Sequence, residues 1–131
     1  MKKLLIASLT FFSSLCAADI AVIAHPATAD VSLDEVSRIY MGRAGNLMPV
    51  NLPENNPLRD QFEQEALGRS PAQMKAYWSR LVFTGKGRPP VEVDSVQAKI
   101  EFVASNPNSL GYIPASEVTD QVRVIATIAN E

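Results

Sequence analysis

SPAQMKAYWSRLVFTGKGRPP, Ser70 to Pro90, joins a complete helix signature to a compact loop dense in glycine, proline and cationic residues. Ser70 suits a cap, Pro71 the first helical position, and Gln73 completes a capping box. Met74, Tyr77, Trp78, Leu81 and Val82 follow at helical spacing and predict one broad apolar face. Trp78 is the single tryptophan of the chain, so the spacing predicts that much of the core packs on this helix.

Working outward, the stretch before it predicts another helix. Asn56 is a good cap and Pro57 a good first helical residue. Leu58, Phe62, Ala66 and Leu67 supply its apolar face, and Gly68 its stop. The short turn between the two predicts a helical pair. On the other side, Val91 to Val93 predicts a short extended piece. A helix follows, capped by Asp94 or Ser95, with Val96, Ile100 and Val103 on one face. Asn106-Pro107 ends it, because a residue before proline avoids the helical region. Leu110 to Ile113 and Val122 to Ile128 predict strands, with one helical turn at Ala115 to Val118.

The N-terminal half has the same alternation. Asp19 to His25 is a short apolar run that predicts a strand buried on both faces. Ser32 and Glu35 form a capping box for a helix with Leu33, Val36, Ile39 and Tyr40 on its buried side. Leu47 to Leu52 predicts a second strand, which Pro49 limits to an edge or to its first residues. Alternating strands and helices predict an α/β fold, a mixed β-sheet flanked by helices on both faces.

Residues 1–18, MKKLLIASLTFFSSLCAA, have the pattern of a cleaved signal peptide, with Lys2 and Lys3 before an apolar run and a cut expected after Ala18. Lipid attachment at Cys16 is the alternative, and Leu15 before it disfavours that. Cys16 is the one cysteine, so the mature chain needs no disulfide and suits a periplasmic or secreted setting. Residues 19–131 fit a single domain. Of 12 basic residues, removal of Lys2 and Lys3 leaves 10 against 14 acids, a net charge of −4. That balance offers nucleic acid no electrostatic footprint. No later segment is apolar enough to span a membrane.

The chemistry available to an enzyme is thin. The single histidine, His25, stands without a spaced carboxylate or cysteine, so neither a metal site nor a catalytic base is expected. A Gly-x-Ser-x-Gly nucleophile elbow is missing. Thr84-Gly85-Lys86-Gly87 fails as a phosphate loop, because Arg80 stands where the first glycine is required and Gly87 where Ser or Thr is required. Helix starts at Ser32, Asn56, Ser70 and Ser95 leave another route open, since unpaired N–H groups and a positive dipole end hold anions without a metal. Arg59 would add a bidentate donor. The simpler reading is that each residue only caps its helix.

Three stretches carry a resemblance: Leu33 to Gly42, LDEVSRIYMG; Trp78 to Pro90, WSRLVFTGKGRPP; and Ser95 to Tyr112, which ends NPNSLGY. In this order they resemble the periplasmic phosphate-binding proteins of ABC transporters, and most closely their short relatives with a single lobe of the type 2 periplasmic-binding-protein fold. The resemblance implies a non-catalytic, cofactor-free protein that binds phosphate or another small oxyanion and works with a membrane permease. It implies Asn56, Arg59 and Ser95 as the ligand-binding residues, with Arg59 retained in Glu54-Asn55-Asn56-Pro57-Leu58-Arg59. One lobe supplies half of a cleft, so a homodimer or another protein would complete it. The alternative is a structural or protein-interaction module that keeps the lobe and has lost its ligand, a reading motivated by the altered Asn55-Asn56-Pro57 loop, in which Pro57 removes an N–H donor.

Overall fold

A computed structural model describes residues 19–129. The expected leader and Cys16 lie outside the described residues. In chain order the elements are β1 (Ile20–Ala24), α1 (Leu33–Tyr40), β2 (Met48–Asn51), α2 (Pro57–Ala66), α3 (Pro71–Phe83), β3 (Val91–Glu92), α4 (Val96–Ser105), β4 (Ser109–Pro114), a 3₁₀ turn (Ala115–Glu117) and β5 (Arg123–Ile128). The strands form one mixed sheet in the order β3-β2-β4-β1-β5. β2 runs parallel to β3 and β4, whereas β1 runs antiparallel to β4 and β5.

Every residue of β1 is buried, as its uninterrupted apolar run predicts for a strand covered on both faces. Ile20, Val22 and Ala24 join Val36, Ile39 and Tyr40 of α1 and Phe62 of α2 on one side. Ala21 and Ile23 join Ile100 and Val103 of α4 on the other. The alternation of side chains along a strand thus sends one run of five residues into two cores.

All four predicted caps form. Ser32 Oγ accepts from Glu35 N, Asn56 Oδ1 from Leu58 N, Ser70 Oγ from Gln73 N and Ser95 Oγ from Ala98 N. At α3 the capping box is reciprocal, with the Gln73 side chain accepting from Ser70 N at 2.8 Å. Ser95, rather than Asp94, is the cap of α4.

Two expectations are corrected. The helix that carries Trp78 does not organise the main core. Met74, Tyr77 and Trp78 of α3 pack with Met41 in a separate cluster, while Val82 is 52% exposed. Its tie to the rest is specific all the same. Tyr77 Oη donates to the Met41 carbonyl at 2.6 Å. Trp78 lies over Gly42, where φ is +73° and a Cβ would stand 2.9 Å from the ring. Leu33 is exposed rather than buried. Of the two places open to Pro49, the structure has the second: β2 is an interior strand with Pro49 among its first residues. β3 begins only opposite Val50, so Pro49 has a strand neighbour on one side alone, at Leu110.

The centre of the larger core is aromatic. Tyr112 of β4 stacks on Phe62 with centroids 4.0 Å apart and planes 4° apart, and Tyr40 meets Phe62 edge-on at 4.8 Å. β2 and β4 are paired only at Met48–Ser109 and Pro49–Leu110. Beyond that point side chains take over the carbonyls. Tyr40 Oη lies 2.7 Å from Val50 O and 3.2 Å from Leu110 O, and Lys99 Nζ donates to Tyr112 O at 2.9 Å.

Candidate functional site

Because β2 and β3 are parallel neighbours, their C-terminal ends share one edge of the sheet. Each leads into a helix: β2 through Leu52–Asn56 into α2, and β3 through Val93–Ser95 into α4. A left-handed Asn55 (φ +68°) and an Asn56 N to Pro53 O bond at 3.2 Å turn the first of these connections. The first N–H groups of any helix lack an intrahelical acceptor, so this edge carries two positive helix ends.

Asn56 and Arg59 belong to the same helix start. Asn56 uses its side-chain oxygen on Leu58 N at 2.9 Å. Arg59 is largely enclosed, its side chain 14% exposed, and its guanidinium binds three neighbours. Nη1 donates to Leu52 O and to Glu92 Oε1, both at 2.9 Å, and Nε to Glu63 Oε2 at 3.4 Å. Arg59 therefore ties α2 to the end of β2 and to β3. Ser95, exposed at the start of α4, lines a different depression with Ser116, Glu117, Val118 and Thr119. The structure thus puts Arg59 and Asn56 together and Ser95 on a separate hollow of the same edge.

Two adjoining grooves open beside Arg59. The larger, about 280 Å³, runs between α2, α3 and Pro89–Glu92 and is lined by Asn51, Glu54, Arg59, Lys75, Trp78 and Glu92 among others. The smaller adds Asp60 and Glu63. Carboxylates and cations balance along the larger, Glu54 and Glu92 against Arg59 and Lys75, and carboxylates outnumber cations along the smaller; Arg59 is already paired with Glu63 and Glu92.

Two buried ionisable groups behind this edge escape a reading of the sequence by family pattern. Glu63 is 2% exposed, and burial pushes its carboxyl above the ordinary value of 4.5, with Arg59 opposing the shift. Its i, i+4 spacing from Arg59 was the available signal. Lys99 is fully buried. Its Nζ stands 3.2 Å from the centroid of the Tyr112 ring as well as on the Tyr112 carbonyl. Burial, and then the charge of Arg59, hold it well below the usual lysine range. Its place three residues after Val96 and four before Val103 puts it on the buried face of α4.

The raised Glu63 value has a testable consequence. A carboxyl raised on folding adds stability that is complete below 4.5 and is lost as pH climbs through the raised folded value. Glu63→Gln is therefore expected to flatten the decline in unfolding free energy between acidic and neutral pH, as urea titrations across that range would show. An unchanged decline would remove Glu63 as its source.

His25 has a local role: its Nδ1 accepts from Ala27 N at 3.0 Å, closing the turn after β1. Among the described residues no group of three His, Cys, Asp or Glu side chains is arranged to hold a metal ion. No helix among them is long and apolar enough to cross a membrane.

No protein-family model matches the chain, and no curated protein sequence does. Solved structures do match. An ABC-type phosphate transport receptor from Vibrio cholerae superposes with a TM-score of 0.63 at 18% identity, over 82% of this chain and 46% of that one. A protein described as a phosphate ABC transporter substrate-binding protein, solved with bound phosphate, from Clostridium perfringens gives 0.62 at 22% identity, over 82% and 45%. PstS from Borrelia burgdorferi gives 0.52 at 16% identity, over 73% and 41%. The chain spans less than half the length of these proteins. At such identities the likeness establishes the fold: a mixed α/β lobe of the periplasmic-binding-protein type.

Proposed function

We propose that this chain is an exported, non-catalytic solute-binding lobe of the phosphate-receptor type, taking phosphate or another small oxyanion and serving an ABC permease. The observation that carries this reading is the shared sheet edge from which the Asn56 and Ser95 helices start, in a lobe whose fold recurs in phosphate-transport receptors. Helix N-termini hold anions through unpaired N–H groups and the helix dipole, which requires neither metal nor catalytic base. In this reading Asn56, Arg59 and Ser95 are the ligand-binding residues.

Calorimetry with phosphate, sulfate and molybdate tests the binding. Arg59→Ala is expected to weaken it by more than about 1.5 kcal/mol, the lower range for a hydrogen bond to a charged group. The comparison belongs in a Glu63→Gln background, so that no buried carboxylate is left without its partner. An unchanged affinity would move the site away from Arg59. Absence of heat and of any melting shift at millimolar anion would remove the binding function and leave the fold untouched.

A second reading is favoured by one observation: Arg59 already bonds Glu63 and Glu92. In that reading the lobe is a protein-interaction module whose edge faces a partner.

A further inference from the structure

We propose that the groove beside α3 is a docking surface for a second copy of this chain, filled by the basic, Phe83-bearing end of the partner copy's α3. The surface is apolar where a soluble monomer would have little reason to be. Phe83, the last residue of α3, is 92% exposed, and Val82 beside it 52%. Val82 lines the groove together with Trp78, Pro89 and Pro90. The same Trp78, Pro89 and Pro90 line a hollow on the other side of that segment, where Met48 and Val91 are also exposed. The two hollows therefore meet in one apolar surface, the kind that marks an interaction site.

Charge identifies the occupant. The walls of this groove and of the one adjoining it bring Glu54 and Asp60, which form no ion pair among the described residues, against one exposed cation, Lys75. The projecting end of α3 and its loop bring Arg80, Lys86 and Arg88, all exposed and likewise without an ion pair among the described residues. An aromatic knob with a cationic collar, and a partly apolar slot that together with its adjoining groove has four carboxylates against two cations, thus stand on one chain, close together along α3. Two copies related by a two-fold axis satisfy both at once, because such an interface makes every contact twice. Aromatic and arginine side chains are the ones that dominate interfaces of this kind. The proposal goes beyond oxyanion binding and holds with the helix starts empty.

Sedimentation equilibrium of the purified protein in a phosphate-free buffer tests it. The expected result is a dimer that weakens with added salt, and whose dissociation constant rises by at least about tenfold in Phe83→Ala. Since Phe83 is almost wholly exposed, this variant keeps its fold, which an unchanged melting curve checks. Reversal of the loop (Lys86→Glu with Arg88→Glu) and reversal of the groove (Glu54→Lys with Asp60→Lys) are each expected to abolish the homodimer. Mixing the two variants restores a heterodimer, because each loop then meets a groove of opposite sign. A protein that stays monomeric up to its solubility limit overturns the proposal. So does a dimer indifferent to Phe83→Ala, or a failure of the two reversed variants to pair.

Discussion

Tyr112→Ala is expected to lower the unfolding free energy by about 4–6 kcal/mol, against about 1 kcal/mol for Tyr112→Phe. The ring is fully buried and stacked on Phe62, so truncation opens a cavity in the middle of the larger core. It also strips the ring face that covers Lys99 Nζ, leaving a buried polar group with less to stabilise it. The phenylalanine variant keeps the ring and loses the hydroxyl contacts to Asn51 Oδ1 and the Leu52 backbone, and the Asn51 oxygen still accepts from Leu52 N at 3.0 Å. Urea denaturation of both variants measures the contrast. Domains of this size have about 5–15 kcal/mol in total, so the alanine variant is expected to lose a large share of its stability. Equal losses in the two variants would mean that the hydroxyl, not the stacked ring, holds this region together.

Trp78→Ala is expected to cost about 3–5 kcal/mol, the range for removing a large buried aromatic ring. The indole is 7% exposed and meets Tyr77 edge-on with centroids 5.2 Å apart. It sits in the smaller cluster that joins α3 to the end of α1. Its loss should therefore loosen α3 and the loop after it more than the sheet. Hydrogen exchange is the discriminating measurement: faster exchange along residues 71–90, with β1 and β4 still protected, is the expected pattern. Uniform acceleration across the sheet would restore Trp78 to the centre of the core.

The two results bear on how much of the fold is legible in the sequence. Helix starts are local chemistry, which is why Ser32, Asn56, Ser70 and Ser95 all cap as read. β1 is legible for the same reason, since an unbroken apolar run of that length has few other uses. The importance given to Trp78 was not legible, because the size of a side chain does not say which of several clusters it joins. Pro49 leaves β2 two places, at an edge or with the proline among its first residues, and only the length of the neighbouring strand β3, a long-range property, decides between them.

The candidate site divides in the same way. Asn56 and Ser95 are readable as caps, and the family resemblance adds an expected ligand. The fate of the Arg59 guanidinium is not readable, because Glu92 lies 33 residues away and the Leu52 acceptor is a backbone carbonyl. The three bonds give Arg59 a structural task, fastening α2 to β3, that any anion would have to share. Lys99 is similar: its spacing on α4 points inward, but only the parting of β2 and β4 supplies the carbonyl it binds.

A crystal structure grown in phosphate tests the central claim, that this lobe is an oxyanion receptor working through its helix starts, most directly. The account predicts an anion at the edge where the Asn56 and Ser95 helices begin, within hydrogen-bond distance of first-turn N–H groups and of Arg59. An edge that stays free of anion, with Arg59 still on Leu52, Glu63 and Glu92, would contradict it.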